Sequence, residues 1–141
     1  MGRNAGDHRA RVSRLMIRRA FMDLLRQKPI QSISVKELCE TAGINRSTFY
    51  AHYTDVRDLL RQIEEEMLAE LEQAMAPLLS DDGKPFNPVE ISAEIFQCLK
   101  DNSDLCTVTL GNYGDKAFLF RLINLGRERC METYLKHYRG I

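Results

Sequence analysis

The segment GINRSTFYAHY, residues 43–53, is dense in side chains suited to directional polar chemistry. Arg46 offers a planar fork of N–H donors, Ser47 and Thr48 offer hydroxyls, and Tyr50 and His52 carry polar tips on rings. Wound as a helix at about 100° per residue, the segment divides into faces. Phe49 and Tyr53 are i, i+4 neighbours and form the packing side, while Ser47 and Ala51 point almost directly away. Arg46 and Tyr50 flank one edge and Thr48 and His52 the other. The outward face is therefore narrow and small at its centre, with hydrogen-bonding groups along both margins. Such a face fits the major groove of a duplex. Arg46, near the helix start, is placed for guanine O6 and N7, and Ser47 and Thr48 for base edges or a thymine methyl. Tyr50 and His52 would meet phosphates on the groove walls.

Enzyme chemistry has no comparable footing. The chain shows no Gly-rich phosphate loop, no nucleophile–base pair and no paired carboxylates in a recognisable setting. Cys39, Cys98, Cys106 and Cys130 are scattered with no CxxC pair, and Cys98, Cys106 and His137 lack metal-ligand spacing. No metal and no cofactor are expected, and the thiols read as buried and inert rather than redox-sensing. The charge pattern agrees with a polyanionic partner for one half of the chain. Residues 1–61 carry 12 Lys and Arg against 6 Asp and Glu, whereas residues 62–141 carry 8 against 14. The acidic run Glu64-Glu65-Glu66 reads as a solvated face. No apolar stretch reaches the roughly 18 residues of a membrane span, and the N-terminus lacks a signal-peptide core. A cytoplasmic protein without membrane contact is expected.

The elements that must position the polar segment are all helical. A first helix is predicted from about Arg9 to Lys28, with Ile17, Ala20, Phe21 and Leu24 as its apolar stripe and Arg11, Arg14, Arg18 and Arg19 mostly off it. Pro29 ends it. Ser34 and Glu37 have the form of a capping box, opening a short helix over about 35–41 that breaks at Gly43. Asn45 caps the next helix, which reaches Tyr53, so that residues 34–53 form a helix-turn-helix. Asp55 opens a long helix with Leu59, Leu60, Ile63, Met67, Leu71 and Met75 inward, running to about Leu79. The segment 80–88 reads as a flexible loop. Asn87-Pro88 then starts a helix to about Lys100, Ser103 starts a short one stopped by Gly111, and Asp115 caps a last one. In that last helix Phe118, Leu122, Leu125 and Arg129 share a face.

The run SVKELCETAGINRSTFYAHYTDVRDLL, with SRLMIRRAFMDLL before it, closely resembles the N-terminal DNA-binding domain of TetR-type bacterial transcriptional regulators over about residues 13–63. The resemblance implies an all-α protein. Residues 1–54 would form a three-helix DNA-binding head, 55–79 a connecting fourth helix, and 80–141 a helical regulatory and dimerisation domain that ends before the family's usual length, either as a shortened regulator or with a C-terminal segment absent. It implies base contacts from Arg46, Ser47 and Thr48 and phosphate contacts from Ser34, Tyr50 and His52. It also implies a homodimer on a palindromic duplex operator, released by a small-molecule effector, as a repressor. Met67, Phe96, Phe118 and Phe120 would line the effector pocket or else form plain core. The chain departs from the family at the start of the fourth helix, where Val56 replaces the usual lysine and Arg57 follows it. That departure keeps a second class open, an adaptor or co-activator that retains the fold but binds another protein.

Overall fold

The computed structural model describes residues 2–78, 87–111 and 116–139. Among them are seven α-helices and no strand: α1 (Gly2–Gln27), α2 (Val35–Ala42), α3 (Arg46–Tyr50), α4 (Val56–Met75), α5 (Pro88–Asp101), α6 (Ser103–Leu110) and α7 (Lys116–Arg139). The loop expected over 80–88 lies outside the described residues except for its last two positions, and so does the cap expected at Asp115. The chain divides into two compact units, one built on Met1–Ile63 and the other on Glu64–Thr109 with Asp115–Ile141.

In the first unit α1, α2 and α3 pack on one another. The α1 stripe is as its spacing predicts, with Ile17, Ala20, Phe21 and Leu24 buried and Leu25 added. Each of the Ile, Phe and Leu side chains contributes about 1.5–3 kcal/mol on burial. The helix begins earlier than its apolar stripe, because nothing before Arg9 supplies the proline that would stop it. After Pro29 a single 3-10 turn, Ile30–Ser32, leads to the extended Ser34. Ser34 Oγ accepts the Glu37 amide at 3.1 Å, which is the first half of the expected capping box. The second half is different: the Glu37 carboxylate is engaged by Lys28 Nζ, tying the start of α2 to the end of α1.

Gly43 closes α2 in the left-handed region at φ 73°, and its amide and that of Ile44 both bond to the Cys39 carbonyl. A side chain here would meet no neighbour within 4 Å, so the demand for glycine is conformational and not steric. Asn45 holds the N-cap position of α3 with extended backbone, but its side chain accepts no cap hydrogen bond. Only its carbonyl is used, by the amides of Thr48 and Phe49.

The second unit is organised around Leu71, Met75, Ile91 and Cys98, with Leu78, Ile95, Leu122, Leu125 and Cys130 packed against them. Asn87 caps α5 through bonds from the Val89 and Glu90 amides, with Pro88 in the first turn, as predicted. Arg129 donates to Glu72 at 2.6 Å and Asn102 to Glu70 at 3.2 Å, fastening α7 and the end of α5 to the later turns of α4. The α-helical part of α4 stops at Met75, four residues short of expectation, and a 3-10 turn over Ala76–Leu78 follows. Pro77 cannot donate the bond that would continue the helix.

Three expectations fail here. Glu64 is buried at 5% exposure, so the acidic run is solvated only at Glu65 and Glu66. Phe96 and Phe120 are 71% and 65% exposed, which makes them neither core nor the wall of an enclosed pocket, whereas Met67 and Phe118 are buried. The outward side of α7 also shows Ile123, Met131, Tyr134 and Leu135 to solvent, opposite the face that carries Phe118, Leu122, Leu125 and Arg129.

Candidate nucleic-acid interface

The helix α3 is only five residues long, too short to persist by its own hydrogen bonds. Phe49 holds it down. Its ring is fully buried, meets Tyr50 edge-on at 5.4 Å and lies 5.6 Å from the tilted ring of Tyr53. Tyr53 is buried as well, and the tilted ring of His52 lies 6.1 Å from it. With this side pinned, Arg46, Ser47, Tyr50 and Ala51 face solvent, and Thr48 and His52 are half-buried at the margins. The wheel therefore describes the segment well. Its extent is corrected: regular helix ends at Tyr50, not Tyr53, because the His52 and Tyr53 amides both turn onto the Phe49 carbonyl. Sharing one acceptor tightens the last turn and carries the chain toward α4.

Ser34 belongs to another element, exposed at the N-terminus of α2. Its oxygen accepts the Glu37 amide, which leaves the hydroxyl proton free to be given to an anion. Arg46 has no acidic partner among the described residues. Its charge is felt at the buried Cys39 thiol, though burial dominates there and pushes that thiol up. Burial likewise raises Cys98, Cys106 and Cys130; Cys39 and Cys98 are buried as expected, whereas Cys106 and Cys130 are only half-buried. Burial and then the charge of Arg14 push the His52 imidazole below its ordinary range. Arg14 of α1 is near enough for its charge to be felt at His52, and it is exposed. Val56 is buried at 7% while Arg57 beside it is exposed, so the family's lysine position is a core position in this chain and the neighbouring cation faces solvent.

Sequence reasoning missed the junction between α3 and α4. The Asp58 amide donates to the Asp55 carboxylate at 2.7 Å, and the Asp58 carboxylate takes the Thr54 amide at 2.9 Å. Arg61 and Gln62 donate to the same carboxylate. The signal was the Asp-x-x-Asp spacing of Asp55 and Asp58 across the start of α4. Above all the Thr54 amide, then Arg61, holds the Asp58 carboxyl below the usual carboxylate range. A folded pKa below the unfolded one makes this contribution complete above about pH 4 and lost as pH falls through the depressed value. Acid melts followed by circular dichroism should show the parent losing stability below about pH 4 more steeply than Asp58→Asn. Equal slopes would mean that the carboxylate is not held in this way.

Three packed helices, a glycine turn and an exposed polar face on the last of them define a helix-turn-helix head. Residues 17–63 match the family model of bacterial regulatory proteins, tetR family. Over 60 residues it is 37% identical to the HTH-type dhaKLM operon transcriptional activator DhaS of Lactococcus lactis, covering 43% of this chain and 32% of that protein. Over 68 residues it is 32% identical to the class A tetracycline repressor protein from transposon 1721 of Escherichia coli, covering 48% of this chain and 32% of the relative. The matches thus span about a third of the length of these relatives. No solved structure matches the chain. Among the described residues no helix is long and apolar enough to cross a membrane.

Proposed function

We propose that the chain is a sequence-specific DNA-binding transcriptional regulator acting in the cytoplasm as a homodimer. The observation that carries this reading is the division of α3, with Phe49 buried and Arg46, Ser47 and Tyr50 turned outward behind a glycine turn. Arg46, Ser47 and Thr48 read base edges, while Ser34, Tyr50 and His52 hold the phosphate backbone. Residues 1–54 serve as the head, 55–79 as the connecting helix and 80–141 as the regulatory and dimerisation domain. The exposed apolar side of α7 supports a second copy as partner, and sedimentation of the full chain tests that. A two-fold dimer reads half-sites about 34 Å apart, so a small-molecule effector that tilts α4 spoils the spacing.

Repression is the simplest action of a dimer seated on a palindrome over a promoter. The names of the two relatives differ in sign, and a reporter fused to the chain's own operator decides it. The primary test is selection from genomic fragments followed by mobility shift at several salt concentrations. Salt-sensitive binding to an enriched palindrome is the expected result; no such binding would leave the protein-binding adaptor as the better reading. On the enriched site, Tyr50→Phe should weaken binding about three- to tenfold for every sequence alike, because a phosphate contact carries no base information. A change in base preference in that variant would move Tyr50 from backbone to bases.

A further inference from the structure

Between the end of α3 and the first turns of α4 lies a set of hydrogen bonds that forms without DNA. Asp58 is 8% exposed, and one of its carboxylate oxygens, Oδ2, accepts both the Thr54 amide at 2.9 Å and Gln62 Nε2 at 3.1 Å. The other, Oδ1, takes Arg61. Gln62 Nε2 also reaches back ten residues to the His52 carbonyl at 3.4 Å. The chain thus leaves α3, turns through residues 51–55, and is held at His52 and again at Thr54 by side chains one turn apart on α4.

We propose that Asp58 and Gln62 are positioning residues that pass the attitude of α4 on to the DNA-reading helix, an inference that rests on the DNA-binding function above. The packing of Phe49 and Tyr53 keeps α3 seated, but apolar contacts are non-directional and tolerate small rotations. Hydrogen bonds are directional, and two of them at successive points of a short linker transmit a rotation. Asp58 and Gln62 lie four residues apart in the first turns of α4. When its first turns tilt, Asp58 and Gln62 move as one body, and the His52 carbonyl and Thr54 amide must follow. The bond from Gln62 to the His52 carbonyl is the longest of the set and the one that yields first.

Gln62→Met keeps side-chain length and removes the donor, and Gln62 is only half-buried, so the full-length variant should fold and melt as the parent does. Amide hydrogen exchange at His52, Tyr53 and Thr54 in the free protein should quicken about tenfold. Affinity for duplexes that the parent selects from a random-sequence pool should fall about three- to tenfold. Affinity for an unselected duplex, and the salt slope, should not change, because no phosphate contact is lost. Asp58→Asn should act in the same direction and more strongly, and the double variant should be weaker than the parent by less than the product of the two. Gln62→Lys, which restores a donor within reach of the carbonyl, should restore exchange protection. Unchanged exchange at 52–54 in Gln62→Met overturns the inference whatever the DNA result. Quickened exchange with full affinity and base preference on the selected duplex overturns it too. If the parent enriches no sequence at all, the DNA-binding function fails instead, while the exchange measurement still reports whether Gln62 holds the end of α3.

Discussion

Phe49→Ala should remove about 3–5 kcal/mol from the first unit, a large part of the roughly 5–15 kcal/mol that typical domains possess. Phe49 is fully buried, and its ring contacts with Tyr50 and Tyr53 add about 0.5–1.5 kcal/mol each beyond the area they hide. A five-residue helix has no reserve of its own against that loss. The expected result is a lowered first transition in circular dichroism melts and loss of detectable operator binding, while the second unit, whose core is Leu71, Met75, Ile91 and Cys98, keeps its helical signal. Ser47→Ala on the opposite face should change the melt by under about 0.5 kcal/mol. Full operator binding by Phe49→Ala would show that α3 is seated by something other than this ring.

Arg46→Ala has the largest effect expected on recognition itself. Arg46 sits at the first position of α3, exposed and without an acidic partner among the described residues. Its fork is therefore available to a base edge at no cost in broken ion pairs. A bidentate contact of this kind discriminates by about 1–3 kcal/mol, or about five- to 150-fold in affinity. Because the side chain is exposed, thermal stability should stay within about 0.5 kcal/mol of the parent. Titration against the selected site and its single-base variants should show one position relaxed and the others intact. Uniform weakening would mean a phosphate contact, and no change would remove α3 from the groove. Together with Tyr50→Phe, the two variants separate reading from gripping within one helix.

The family match and the head's local geometry were legible because their causes are local. The glycine that α2 needs at φ 73° and the cap at Asn87 with Pro88 are decided within a few residues of the chain. So is the stripe of Ile17, Ala20, Phe21 and Leu24, since helical periodicity alone brings it onto one face. The split of residues 46–53 into a packed and an open side follows from the same periodicity.

What escaped the sequence depends on partners far along the chain or on a competition between acceptors. Asn45 looked like a side-chain cap, yet its backbone carbonyl does that work alone. Glu37 looked like the second arm of a capping box, but Lys28, nine residues back, offers a full charge where the Ser34 amide offers only a dipole. Phe96, Phe120 and Glu64 show the limit most plainly. Their types predict two buried rings and a solvated carboxylate, and each takes the opposite environment because burial depends on which helix covers which face. The sequence by itself determined which side of residues 46–53 is packed and which is open. Only the tertiary structure decided how α3 is joined to α4, since the bonds of Asp58 and Gln62 exist only once the chain has turned back through residues 51–55.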